Sequence, residues 1–155
     1  MGLPLCYQHA ESDYKLKVKE STIANAGLGL FAYDKSKGDN EVVFTRGQKL
    51  CPYYGQVIDE PTLIKRYGEY TAPYGISLNR KLYEDASTMR GIGSLINHKI
   101  NSQTNCYFSL SRNNRINIVA SKNIKNHEEL FINYGRQYTF DDPVQYSTNQ
   151  SKYRV

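Results

Sequence analysis

The sequence contains no tryptophan and only three cysteines, Cys6, Cys51 and Cys106, among 155 residues. They are far apart and odd in number, and no CxxC pair exists. Neither a structural zinc cluster nor a disulfide framework can be built from them. Such thiols fit a reducing, intracellular compartment. No apolar run approaches the ~20 residues that a membrane-spanning helix needs. The opening MGLPLCYQHA lacks the basic and apolar regions of a secretory signal. Gly2 with Cys6 makes a poor acylation site, because a myristoylation signal wants Ser or Thr at the sixth position. His9, His98 and His127 are dispersed, without HExxH or HxH spacing, so no metal site is expected. A GxSxG elbow and a phosphate-binding P-loop are missing as well.

What remains is a chain for one domain: 39% apolar residues, 23% charged, and no internal repeat. Lys and Arg number 20 against 15 Asp and Glu, a net charge of +5. That balance favours anionic company such as nucleic acid or nucleosomes, although the excess is spread along the chain and a solvated basic surface explains it equally. Tyrosine is abundant, 14 residues against 5 Phe. Its ring and hydroxyl together suit a channel wall that must also form hydrogen bonds.

Alternating residues from Tyr14 predict a strand, and Leu28–Ala32 a second. Leu50–Ile58 reads as one strand carrying Tyr53, Tyr54 and Gly55. Glu60-Pro61 opens a helix reaching about Tyr70. Tyr74–Leu78 and Leu82–Asp85 are short strands, and Met89–Ile96 one or two helical turns. Cys106–Leu110 and Arg115–Ala120 flank a hairpin loop at Ser111–Asn114, and Glu129–Asn133 is a last short strand. Many short strands with few helices indicate a β-rich domain.

Four local patterns occur in a particular order. They are Gly27–Ala32 (GLGLFA), Tyr53–Gly55 (YYG), Leu95–His98 (LINH) with Asn105-Cys106, and Glu128–Gly135 (EELFINYG). In this order they resemble GxGxFA, YxG, RFxNHSCxPNC and GEELxxDYG of the SET-domain protein lysine methyltransferases. The chain departs from those patterns at Ser94 for Arg (with Arg90 nearby), Asn133 for Asp and His127 for Gly. The stretch between Asn97 and Asn105 is also about two residues longer, and the cysteine-rich flanking zinc clusters are missing. The resemblance therefore implies a minimal, metal-free form. It would be a single domain over 1–155, with a core at about 17–138 and a tail at 139–155 that closes the active site.

The resemblance implies a mostly β, β-clip fold: several short curved sheets around a pseudoknot-like core, with a few short helices. It implies S-adenosylmethionine as cofactor and S-adenosylhomocysteine as product. Gly27, Leu28 and Gly29 would hold the methionine end of the cofactor. Asn97 would contact its amino group or carboxylate, and the backbone at His98 would read the adenine edge. Tyr138 or Phe140 would cover that ring. Tyr134 would be the catalytic tyrosine and also line the cofactor site. Tyr53 would bond the substrate amine, and Phe108 and Ile132 would shape the lysine channel. Neither of the last two carries a hydroxyl to hold a restricting water, which implies di- or trimethylation.

The implied partner is a protein with a lysine in a basic tail, a histone by family habit, placing the chain in the nucleus; a nucleosome or DNA contact through the basic surface is a further expectation, and no membrane partner is. Acidic groove residues to choose a peptide would come from Asp59, Glu60, Glu84 and Asp85. The competing readings are a non-catalytic SET-like binding module, a methyltransferase of a non-histone basic protein, and a small basic nucleic-acid-binding domain, which lacks the clustered basic stripe and regular aromatic platform expected of one. Oligomeric state is not legible.

Overall fold

Lysines and apolar residues alternate along β1 (Leu16–Glu20), which pairs antiparallel with β2 (Leu28–Ala32). The computed structural model describes residues 6–68 and 72–135. Before β1 lies α1 (Tyr7–Tyr14), a helix without counterpart in the sequence reading; it buries only Ala10 and ends where Lys15 turns left-handed at φ 55°. Beyond β2 follow β3 (Val42–Phe44), β4 (Lys49–Pro52), β5 (Gln56–Asp59), α2 (Glu60–Tyr67), β6 (Gly75–Ser77) and β7 (Leu82–Asp85). Then come β8 (Asn97–His98), β9 (Cys106–Leu110), β10 (Ile116–Ala120), β11 (Ile124–Lys125) and β12 (Phe131–Ile132).

The described strands form five small sheets, ordered β1-β2, β4-β10-β9, β11-β3, β12-β8 and β5-β7-β6. The expected mostly β architecture is therefore observed. Among the described strands only β12 and β8 pair in parallel. The sheets share one core around Leu16, Leu30, Ile96, Ile118, Leu130 and Ile132. No helix among the described residues is long and apolar enough to cross a membrane.

The single strand expected over Leu50–Ile58 is broken in two. Tyr53, Tyr54 and Gly55 leave the ladder between β4 and β5, and Gly55 lies directly on the main chain of Asp85. A Cβ there would sit 2.6 Å from the Asp85 carbonyl carbon and oxygen. α2 starts as expected, with Asp59 accepting from the Thr62 amide at 3.0 Å, but ends at Tyr67. Met89–Ile96 supplies only a 3-10 turn at Ile92–Leu95.

Two expected groove acids prove to be interior. Glu84 and Asp85 are fully buried on opposite faces of β7. Asp85 accepts from Arg66 Nη1 at 2.6 Å, Tyr67 Oη at 2.8 Å and Ser87, fixing α2 to the sheet. Burial pushes this carboxyl up, but its donors more than reverse the effect and hold it below the ordinary value. Glu84 accepts from Arg115 Nη1 at 3.2 Å and the Gly55 amide at 3.3 Å, while its Oε2 has no partner among the described residues. Here burial wins, and the carboxyl is raised. Neither side chain is available to a peptide. Asp59 and Glu60 both face solvent, although Asp59 is also occupied in capping α2.

Candidate functional site

The parallel pair of β8 and β12 joins distant parts of the sequence. Asn97 lies opposite Phe131 and His98 opposite Ile132. The chain leaving β8 is tied to the same segment: the Lys99 amide donates to Ile132 O, and the Asn105 amide to Phe131 O, each at 3.1 Å. Asn105 closes the clamp with its side chain. Oδ1 accepts from the Phe131 amide and Nδ2 donates to Glu129 O, both at 2.8 Å. Between Asn97 and Asn105 the chain makes a 3-10 turn at Asn101–Gln103.

Tyr134 follows β12 directly. Its amide donates to His98 Nδ1 at 3.0 Å and its hydroxyl donates to Ile96 O at 2.5 Å. The Tyr134 and His98 rings lie 5.1 Å apart at 43°. Burial pushes the His98 imidazole below its ordinary value, with the Ile132 carbonyl partly opposing that. A neutral ring with an unprotonated Nδ1 is what the Tyr134 amide requires.

Tyr53 is 5% exposed and donates its hydroxyl to Tyr74 O at 2.9 Å. Phe108, on β9, meets the Tyr53 ring edge-on at 5.6 Å and 84°. Burial, and then the nearby Tyr134, Asp85, Glu84 and Tyr74, raise the Tyr53 phenol well above its ordinary range. Arg90 stacks over the Tyr74 ring at 4.3 Å, and Ser94 bonds its own turn at Gly91 O. Ile132 is 1% exposed and belongs to the core.

The Gly27–Gly29 segment reaches the same place from β2. Asn97 Nδ2 donates to Leu28 O at 3.1 Å, while the Leu28 side chain is 49% exposed. Gly29 lies against the Glu129 carboxylate, with which any Cβ would collide. His127, standing where the family pattern has glycine, adopts φ 66° and contacts Asp39 at 3.3 Å. Tyr138, Phe140 and the tail at 139–155 lie outside the described residues. Among the described residues no group of three or more His, Cys, Asp or Glu side chains is arranged to hold a metal ion.

Gly29, Asn97, His98 and Tyr134 thus adjoin one another, and the buried Tyr53 with the half-buried Phe108 forms a second group. Tyr134 is near enough to Tyr53 to be among the groups that raise its phenol. Sequence reasoning gave no role to Glu129, Ser21, Thr22 or Asn105, which hold the first group in place. Glu129 and Asn105 had a signal, their positions in the EELFINYG stretch and the Asn105-Cys106 pair, whereas Ser21 and Thr22 had none.

A family model described as the SET domain matches residues 27–135. The chain belongs to the SET-domain family. This SET domain is 33% identical over 125 residues to a histone-lysine N-methyltransferase, H3 lysine-36 specific, of Gibberella zeae, covering 76% of this chain and 12% of the relative. The Coccidioides immitis protein of the same name is 32% identical over 135 residues, covering 82% and 12%. The chain therefore spans about an eighth of these relatives. Among solved structures it is similar to Chaetomium thermophilum polycomb repressive complex 2 in an autoinhibited conformation bound to S-adenosylmethionine. That likeness has a TM-score of 0.66 and 26% identity, over 82% of this SET domain and 16% of that chain. The same complex with H3K27me3 and H3K27M gives a TM-score of 0.64 and 26% identity, over 78% and 14%.

Proposed function

We propose that this SET domain catalyses S-adenosylmethionine-dependent methylation of a lysine side chain in a histone H3 tail. The observation that carries the reading is the parallel pairing of β8 with β12, which gathers Asn97, His98 and Tyr134 with their polar atoms directed by main-chain partners. The names of the fungal relatives support a histone H3 substrate, and the similar polycomb structure supports the cofactor.

The residues present suit that cofactor. Asn97 has an amide oxygen to offer its polar end, and the half-exposed Leu28 offers apolar surface beside it. S-adenosylmethionine supplies a methyl group on a sulfonium, and S-adenosylhomocysteine is the product. Gly27 to Gly29, Asn97 and His98 would hold it, together with Tyr138.

The chain's own work is on the lysine. Its pKa near 10.4 makes the neutral amine cost about 4–5 kcal/mol at pH 7. A buried wall lowers that cost by disfavouring the ammonium, and Tyr53, Phe108 and Ile132 supply one. Tyr53 and Tyr134 each spend their hydroxyl hydrogen on a main-chain carbonyl, at Tyr74 and Ile96. Their oxygens are then acceptors for the amine N–H groups, which leaves the amine lone pair for in-line attack. A raised phenol makes Tyr53 a poor base, so its part is alignment. Phe108 and Ile132 have no hydroxyl to hold a water against the amine, which favours two or three methyl groups.

Lys17, Lys19 and Lys99 lie over the rings of Tyr33, Phe31 and Phe131 at 4.2, 4.3 and 3.9 Å. They give a nucleosomal substrate a cationic surface to meet, and a histone substrate places the protein in the nucleus.

The test is a thermal shift with S-adenosylhomocysteine, followed by labelled methyl transfer to recombinant histones. Stabilisation with label on H3 is expected. Stabilisation without transfer to any histone would point to a non-catalytic binding module, and no stabilisation would contradict the cofactor assignment.

A further inference from the structure

Glu129 has no part in the chemistry above, yet it is 5% exposed and its carboxylate is surrounded by donors. Ser21 Oγ donates to Oε1 at 2.7 Å. The Thr22 amide and Oγ1 donate to Oε2 at 2.7 and 2.5 Å. Asn97 Nδ2 donates to Oε1 at 3.1 Å. Burial pushes the carboxyl up, but the bonds from Thr22, Ser21 and Asn97 outweigh it and hold the group ionised. An ionised carboxylate is acceptor-only.

We infer that Glu129 is a positioning residue that fixes which way the Asn97 amide faces, so that Asn97 Oδ1 is presented to the α-ammonium group of the cofactor. The inference rests on the S-adenosylmethionine reading proposed above and goes a step further. An asparagine amide has two nearly isosteric orientations, distinguished only by its partners. Here both Nδ2 hydrogens meet atoms that can only accept, Glu129 Oε1 and Leu28 O, each at 3.1 Å. Turning the amide over would set Oδ1 against two oxygens, one of them charged, and leave both without a donor.

With Nδ2 committed, Oδ1 is the one polar atom of that side chain left for a ligand. An acceptor selects an ammonium over a carboxylate, which decides between the two contacts open at the level of sequence. Glu129 is itself well held. Its carboxylate passes against Gly29, where a side chain would collide with it. Its carbonyl takes the Asn105 amide hydrogen at 2.8 Å, and its main chain bridges to Phe31. The lock therefore joins the Ser21-Thr22 loop, the start of β2 and the β8–β12 pair.

The experiment is calorimetry of the folded protein with S-adenosylhomocysteine and with its desamino analogue, in which hydrogen replaces the α-ammonium group. The wild type should prefer the amino compound by roughly tenfold or more. Glu129→Gln cannot accept from every donor and places its own N–H2 among them, so the charged one of the two acceptors that fix the Asn97 amide is lost and Leu28 O alone remains. Its preference should fall to about threefold or less, with affinity for the desamino compound kept.

Asn97→Ala removes the presented oxygen itself, so it should lose the preference as Glu129→Gln does, and adding Glu129→Gln to it should lower the preference no further. A Glu129→Gln protein that keeps the wild-type ratio, even with both affinities lowered, would overturn the inference. So would an Asn97→Ala protein that keeps the wild-type preference, which decides the matter if Glu129→Gln does not fold. Failure of the wild type to bind S-adenosylhomocysteine at all would instead contradict the cofactor reading.

Discussion

The main-chain amide of Tyr134 donates to Nδ1 of His98 at 3.0 Å, so the residue expected to align the substrate amine is placed by a titratable ring. Burial lowers the His98 value below the ordinary 6.5, so the native state binds this proton less readily than the unfolded chain. Its stabilising contribution is complete above about pH 6.5 and is lost as pH falls through the folded value. Protonation also turns the acceptor into a donor facing another donor. Between about pH 7 and 5 the wild-type melting temperature should therefore fall more steeply than that of His98→Ala. Parallel profiles would show that His98 does not titrate against folding.

Glu84 has the opposite sign. Burial raises its carboxyl above the ordinary 4.5. Its contribution is therefore complete below that value and lost as pH rises through the folded one. Arg115 pairs with Glu84 Oε1, but Oε2 has no partner among the described residues, and burial outweighs the pairing. Glu84→Gln removes the charge and keeps an acceptor for Arg115 and the Gly55 amide. The melting temperature of the variant relative to wild type should increase from about pH 4 to pH 8. A constant or falling difference would contradict this account of the buried acid.

Phe108 packs its ring on Tyr53 at 5.6 Å without contributing a polar atom. Phe108→Tyr would add a hydroxyl able to hold a water or the amine and restrict further rounds. Mass spectrometry of the product should show a shift from di- and trimethyl-lysine toward monomethyl-lysine, with overall transfer retained. A wild-type protein that stops at monomethylation after long incubation would rule this out.

The sequence was most legible where structure is local. The β1 alternation, the Leu28–Ala32 strand and the β9–β10 hairpin each depend on neighbours within a few residues, and each is present. Helix α1 was hidden because its sequence is polar and buries only Ala10. Strands β3 and β11 were missed because they are three and two residues long, with an irregular register between them. Glu84 and Asp85 read as surface acids because their partners Arg115 and Arg66 are 31 and 19 residues away. The Glu129 lock is harder still to foresee, since its donors Ser21 and Thr22 lie 108 and 107 residues upstream. The order of four loose motifs was what brought such distant segments together.

The most direct test of the central claim is labelled methyl transfer to an H3 tail by Tyr134→Phe, with calorimetry on the same protein. That change removes the hydroxyl, which donates to Ile96 O, and keeps the ring. Transfer should fall by about 10²-fold or more while S-adenosylhomocysteine affinity stays within a few-fold of wild type, because only alignment of the reacting amine is lost. Near-normal transfer by the folded variant would contradict the account and leave Tyr134 a structural residue.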